Sequence, residues 1–377
     1  MLFHWIGWLL SGLALCGAGY SLVVSNLVAN FRGARFARAT AEPVTILKPL
    51  HFEEPGLAAA LTSFLKQNYA APIQLIFGVQ DGADPAIKIV RALQKEYPQA
   101  DIELVVDTEL HGSNRKVSNL INMSRLAKHE IIVLSDSDIS VQRDWLSKVV
   151  SALSAEGVGA VSCLYTGKPN GSFWSTLTAM GSSYEFLPNV IAGVSFGLAS
   201  PCFGSTIALR RTTLDAIGGF HAFANQLADD YEIGRAVRAK GLKVSIPAFA
   251  VDHASQERDW TEFYRHEVRW NRTTRVIDPL GHTGSFITQA LPIALLGAMV
   301  NEFSLASIGI FATTFASRLV LKWCIERKFG TYAGPDWALP VRDALSFYVF
   351  IASMFGEDVH WRGSRFAVSP SGVLSQS

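Results

Sequence analysis

Two carboxylates stand two positions apart in "IIVLSDSDIS", at Asp136 and Asp138, directly behind an apolar run. At a strand end such a pair can turn toward one hard cation, since Mg²⁺ and Mn²⁺ favour oxygen ligands shared between carboxylates and substrate phosphates. The same pattern also serves as a turn or a helix N-cap. In "FGVQDGADP", Asp81 can accept hydrogen bonds from a nucleotide base or ribose, or close a turn among turn-forming neighbours. "LHGSNRKVSNLINM" joins a glycine loop to Arg115 and Lys116. It reads as a helix start suited to a diphosphate, or as a solvated basic helix end. Asp229 and Asp230 open the helical pattern "DDYEIGRAVRAKG". Adjacent carboxylates repel, which raises the pKa of one toward general-base use, but acids in a first turn also complement the helix dipole. Finally, "DWTEFYRHEVRWNRTTR" places Arg265, Arg269 and Arg272 at i, i+4 and i+7 of an amphipathic helix, with Trp270 beside them. That face can rest on anionic headgroups, or it can offer Arg269 to a diphosphate and Trp270 to a ring.

Seven short apolar runs must position these groups: 44–48, 73–79, 102–106, 131–136, 158–165, 205–210 and 243–247. Helical patterns such as "GLAAALTSFLKQ" and "DWLSKVVSAL" alternate with them. Continuous apolar strands with helical crossovers predict a mainly parallel sheet covered on both faces. In such sheets ligands bind beyond the carboxyl ends of the strands. Polar clusters stand at those ends: Pro49 to Glu54, Gln80 and Asp81, Asp107 to Lys116, and Asp136 to Asp138.

Charged residues make up 17% of the 377-residue chain, against roughly 25% in an average soluble protein. The net charge of +1 gives no reason to expect a nucleic-acid partner. Met1 to Asn30 contains no Asp, Glu, Lys or Arg and exceeds the ~20 residues of a spanning helix. Arg32, Arg35 and Arg38 follow it, which predicts a retained anchor with its downstream end in the cytoplasm. A second apolar stretch, Gly284 to Leu321, is broken by "NEFS" and reads as a hairpin of two spans. Ala344 to Phe355 is shorter than the ~17 residues needed to span and is expected to lie along the interface or re-enter. From Pro169 to Leu209 the sole charged side chain is Glu185. That segment is either a lipid-facing groove or a buried helix. The four cysteines lack CxxC spacing and read as reduced structural thiols.

The ordered set of Asp81, Asp136-x-Asp138, Asp229-Asp230 and an Arg269-Trp270 helix ahead of membrane spans resembles the inverting glycosyltransferases of GT-A fold. More narrowly it resembles the ceramide glucosyltransferase-like family, glycosyltransferase family 21. "LKPLHFEEPGLAAALTSFLKQNY", "HGSNRKVSNLINM" and "WRGSRF" carry the likeness. Within that family it resembles the bacterial hopanoid biosynthesis-associated glycosyltransferases. The resemblance implies an α/β, GT-A-type catalytic domain over 42–278 on the cytoplasmic side of a bacterial inner membrane. It also implies an N-terminal anchor over 1–30, a membrane hairpin over 284–326, and an interfacial or re-entrant helix with tail over 337–377. Further, it implies that Glu54, Asp81 and Lys116 contact a UDP-sugar donor and that Asp136 and Asp138 hold Mg²⁺ or Mn²⁺. Asp230 would be the base, and Arg269 and Trp270 would close over diphosphate and sugar. The implied reaction moves N-acetylglucosamine from UDP-GlcNAc to the hopanoid bacteriohopanetetrol. The alternatives are UDP-glucose to ceramide, and a non-catalytic nucleotide-sugar binder. The chain departs from the family pattern at His266, where Gln or Arg is usual, and at Asp229, where Glu is often found.

Overall fold

The computed structural model describes residues 2–33, 36, 41–52, 55–355, 358–361, 364–368 and 374–376. The chain forms two compact units. A sheet unit comprises residues 32–165, 200–254 and 366–377; a helical unit comprises 1–31, 166–199 and 255–365. Residues 166–199 and 255–278, inside the stretch expected to form one catalytic domain, thus belong to the helical unit.

Each of the seven apolar runs contains a strand, and ten strands lie between residues 44 and 255. These are β1 (Val44–Pro49), β2 (Ile73–Val79), β3 (Asp101–Val106), β4 (Ile131–Leu134), β5 (Ile139–Ser140), β6 (Val158–Ser162), β7 (Leu164–Pro169), β8 (Ile207–Arg210), β9 (Lys243–Ser245) and β10 (Ala250–Ser255). Seven form one sheet in the order β3-β2-β1-β4-β8-β6-β9. Parallel pairing joins β3 to β2, β2 to β1, β1 to β4, and β6 to β9. β8 runs antiparallel to both neighbours. All six β1 residues are buried, as both-faced coverage of a parallel strand requires. The chain builds outward from β1 to β3, then crosses back to lay β4 on the other side of β1. The topological switch point therefore lies between β1 and β4, where doubly wound sheets bind ligands. Asp136 and Asp138 follow β4 directly.

In chain order the helices are α1 (Leu2–Asn30), α2 (Leu57–Leu65), α3 (Ala86–Glu96), α4 (Arg115–Ser124), α5 (Trp145–Leu153), α6 (Phe173–Gly181), α7 (Leu187–Ser195), α8 (Arg211–Ala216), α9 (Asp229–Ala239), α10 (Trp260–Ile277), α11 (Pro279–Gly284), α12 (Ala290–Val300), α13 (Leu305–Phe329) and α14 (Leu339–Ser353). Asn114 caps α4, its side chain accepting from the Val117 amide at 3.1 Å.

In the helical unit, α1 and α13 are long and apolar enough to cross a membrane; residues 279–288 and 290–300 form a pair bent by 54° that would count as one more span if continuous. The "NEFS" interruption is the turn between α12 and α13, where Glu302 and Phe303 adopt φ of 53° and 54° and Ser304 caps α13. The 169–209 segment supplies α6, a π-helical turn at Ser182–Phe186 and α7. Its apolar side chains divide between the two kinds of surrounding. Leu177, Tyr184 and Ile191 are buried, while Phe173, Phe196 and Leu198 are exposed. Tyr20 of α1 donates to Asn189 of α7 at 2.9 Å. None of the four cysteines is in a disulfide.

Candidate active site

The acidic motifs converge in the sheet unit around Gly204, on the loop before β8. The Gly204 carbonyl accepts from the Asp136 amide at 3.1 Å. Its own amide donates to Asp230 Oδ2 at 2.9 Å. A Cβ here would lie 2.5 Å from Asp136 Oδ2 and 2.7 Å from Lys116 Nζ, so only glycine leaves both groups in place. Lys116, in the first turn of α4, reaches Asp136 Oδ1 at 2.7 Å and Asp229 Oδ2 at 3.4 Å. Asn114 adds a bond from Nδ2 to Asp229 Oδ1 at 3.3 Å. The glycine loop and helix start thus hold the carboxylates of two separate motifs.

Beyond β4, Asp138 Oδ2 faces His253 Nε2 of β10 at 3.2 Å. Asp138 Oδ1 is buried and has no hydrogen-bond partner among the described residues. An acceptor-only oxygen left in this way suits a hard cation. No group of three or more His, Cys, Asp or Glu side chains that could hold a metal occurs among the described residues.

The acids titrate apart. Burial raises Asp136, and the neighbouring Asp138 charge adds to this while Lys116 opposes it. Burial also works to raise Asp138, but the His253 charge and hydrogen bond, with Lys48 and Lys116, outweigh it and hold it at about 2. Asp230 is pushed up to about 6, first by burial and then by Asp229, with Lys116 and two backbone amides pulling the other way. Lys116 is raised: burial would lower it, but Asp136, Asp229 and Asp230 prevail. Carboxyls of such different acidity in one cluster are what acid–base division of labour requires.

The other expected residues fall elsewhere. Asp81 lies just beyond β2, exposed, its Oδ1 accepting from the Ala83 amide at 2.8 Å in a turn. Glu54 lies outside the described residues. Arg269 and Trp270 belong to α10 in the helical unit. The Trp270 ring packs edge-on against His266 at 4.9 Å and near Phe186 at 6.1 Å. Helix α10 is clamped to α14. Glu267 pairs with Arg342 at 2.7 Å, and Arg272 and Arg275 donate to the carbonyls of Phe355 and Met354, each at 2.8 Å. The headgroup-facing reading of this basic face therefore does not apply uniformly to its arginines.

Three site residues escaped sequence reasoning. Lys48 is fully buried in β1, donates to the Asp136 carbonyl at 2.7 Å and sits 3.8 Å from the Phe64 ring centroid. A lysine closing an otherwise apolar buried strand was the available signal, because such a charge needs partners. His253 lies on β10, whose "AVDHAS" lacks a clear apolar run. Gly204 looked like any loop glycine.

The family described as Glycosyl transferase family 21 matches residues 9–374. The chain belongs to that family. Ceramide glucosyltransferase 1 of Caenorhabditis elegans is 23% identical over 397 aligned positions, spanning 99% of this chain and 83% of that protein. Ceramide glucosyltransferase 3 of the same organism is 27% identical over 230 positions, 60% of this chain and 49% of its own length. Among solved structures, the mannosyltransferase PcManGT from Pyrobaculum calidifontis, in complex with GDP-Man and Mn²⁺, superposes with a TM-score of 0.58. That match covers 94% of this chain and 99% of that one at 20% identity, and it speaks for a shared fold. The molecule is a glycosyltransferase of GT-A type, as its motif order led us to expect.

Proposed function

We propose that this glycosyltransferase moves a sugar from a UDP-sugar to a hydroxyl of a membrane lipid by direct displacement, with inversion at the anomeric carbon. The observation that carries this is the convergence of Asp136, Asp230 and Lys116 on Gly204 at the end of the switch-point strand. In this reading Asp230 takes the proton from the acceptor hydroxyl. Its raised pKa of about 6 leaves it ionised at neutral pH yet more basic than an ordinary aspartate. Asp136 and Asp138 would hold Mg²⁺ or Mn²⁺, with Asp138 Oδ1 the oxygen left for it. Bound there, the cation would neutralise charge on the departing UDP. Lys116 adds a fixed positive charge on the same side.

The resemblance supplies the remaining roles: Asp81 and Glu54 toward the donor, Arg269 at the diphosphate and Trp270 at the sugar. It favours UDP-GlcNAc as donor, bacteriohopanetetrol as acceptor, and a bacterial inner membrane with the catalytic residues cytoplasmic. The names of the two worm relatives favour a second reading, UDP-glucose to ceramide. Detergent-solubilised protein incubated with either donor against either lipid, with glycolipids identified by mass spectrometry, separates the two. N-acetylglucosaminyl bacteriohopanetetrol is the expected product. A ceramide-only product would replace the hopanoid reading, and no glycolipid from any pairing would reject a lipid acceptor of these two kinds.

A further inference from the structure

Strand β1 carries a single charged side chain, Lys48, and that side chain has no solvent exposure. It stands one residue past Leu47, the last β1 residue paired with β4. Three acceptors surround its Nζ: the Asp136 carbonyl at 2.7 Å, Ser135 Oγ at 3.4 Å and the Ile139 carbonyl at 3.5 Å. An ammonium has three donors to match them. The Phe64 ring of α2 lies against the same nitrogen, its centroid 3.8 Å away, and Trp145 packs edge-on against Phe64 at 5.1 Å. The ammonium is thus held between aromatic rings and the turn that follows β4.

That turn does not need the lysine to satisfy its polar atoms. The Asp136 carbonyl also accepts from the Ile139 amide at 3.3 Å, which closes the turn. Ser135 Oγ already donates to the Ser205 carbonyl at 2.9 Å. An unbranched apolar side chain such as methionine would fill the same space without the cost of burying a charge. What it would not supply is a hold on both ends of the turn at once. The carbonyls of Asp136 and Ile139 bracket Asp138, and one nitrogen ties them together.

We propose that Lys48 is a positioning residue for the divalent cation, clamping turn 136–139 so that Asp136 and Asp138 present their oxygens to one ion. This rests on the metal reading of those two acids given above. Lys48 acts through the backbone of the turn and not on the substrate. The clamp has a consequence opposite in sign to that of a bare charge. A buried cation near the ligands repels a second cation, so deleting its charge alone would tighten metal binding. Loss of the clamp weakens binding instead, since groups that orient metal ligands are worth about 10–100-fold in affinity.

The test is Mn²⁺ titration of the full-length protein in detergent, read from the electron paramagnetic resonance signal of free Mn²⁺. Thermal unfolding is measured alongside. Asp138→Asn identifies the site by removing its share of the uptake. We expect Lys48→Met to bind Mn²⁺ about 10–100-fold more weakly. Its unfolding midpoint should stay within about 4 °C of wild type. Unchanged or tighter Mn²⁺ binding in Lys48→Met would overturn the proposal. So would a Lys48→Met chain that fails to fold, because the lysine would then hold the sheet and not the turn. Wild-type protein that takes up no Mn²⁺, with UDP or without it, would overturn the metal reading itself. Uptake indifferent to Asp138→Asn would do the same, and both results are distinct from failure of the clamp.

Discussion

Gly204→Ala is the sharpest probe of the acidic site, because the structure separates its effect on folding from its effect on chemistry. The added methyl would sit 2.5 Å from Asp136 Oδ2 and 2.7 Å from Lys116 Nζ. To reach ordinary contact, the carboxylate oxygen must retreat by about 0.9 Å and the ammonium by a little less. Both atoms are the ends of side chains with some solvent access, 34% for Asp136 and 12% for Lys116, so they have room to yield. The folding cost should therefore fall at the low end of the ~1–3 kcal/mol typical of overpacking. Chemistry has no such latitude: a displacement of about 1 Å in a positioning group can cost about 10²-fold in rate. The paired measurements are turnover by product mass spectrometry and thermal unfolding in detergent. We expect turnover to drop about 10²-fold while the midpoint falls by no more than about 4 °C. Wild-type turnover in Gly204→Ala would refute the assignment of this convergence as the catalytic centre.

Four further outcomes follow from the same geometry. Asp230→Asn should keep UDP binding but lose about 10²–10⁴-fold in turnover; near-normal product formation would remove Asp230 as the base. Because a base must be ionised and Asp230 sits at about 6, kcat/KM should fall about tenfold per pH unit below that point, and a profile flat to pH 5 would contradict the role. Stripping divalent cations with EDTA should abolish transfer and Mn²⁺ should restore it, whereas full activity after stripping counts against Asp136 and Asp138 as metal ligands. Arg342→Met would leave the buried Glu267 carboxylate, and beside it the partly exposed Glu185, without their Arg342 partner, a loss of about 3–5 kcal/mol, visible as early aggregation on heating in size-exclusion profiles.

The strands of the seven-stranded sheet were legible because they fall within short apolar runs, and β2 falls on the expected residues 73–79. Long-range pairing was less legible. Nothing in "AVDHAS" announces that His253 will stand beside Asp138, since an alternating strand with three charged or polar residues carries a weak pattern. The division into units was also hidden. Residues 169–209 were recognisable as too apolar for a surface loop, but the contact of α7 with the N-terminal helix, Asn189 with Tyr20, is tertiary and no local spacing encodes it. Lys116 shows the same limit at the scale of one side chain. The sequence shows a cation at a helix start, and three-dimensional proximity decides that its partners are Asp136 and Asp229.

The clamp between α10 and α14 bears on how the protein can be shortened. Everything past Ser353 could be taken for a dispensable tail, since helix α14 is complete at that point. Yet the carbonyls of Met354 and Phe355 are acceptors for Arg275 and Arg272, on the helix that also carries Arg269 and Trp270. Cutting the chain at residue 353 would spare every proposed catalytic side chain and still remove two of the fastenings that set the pitch of that helix. A variant trimmed there would keep its membrane helices and yet be a poorer transferase, two missing backbone oxygens being part of the fault.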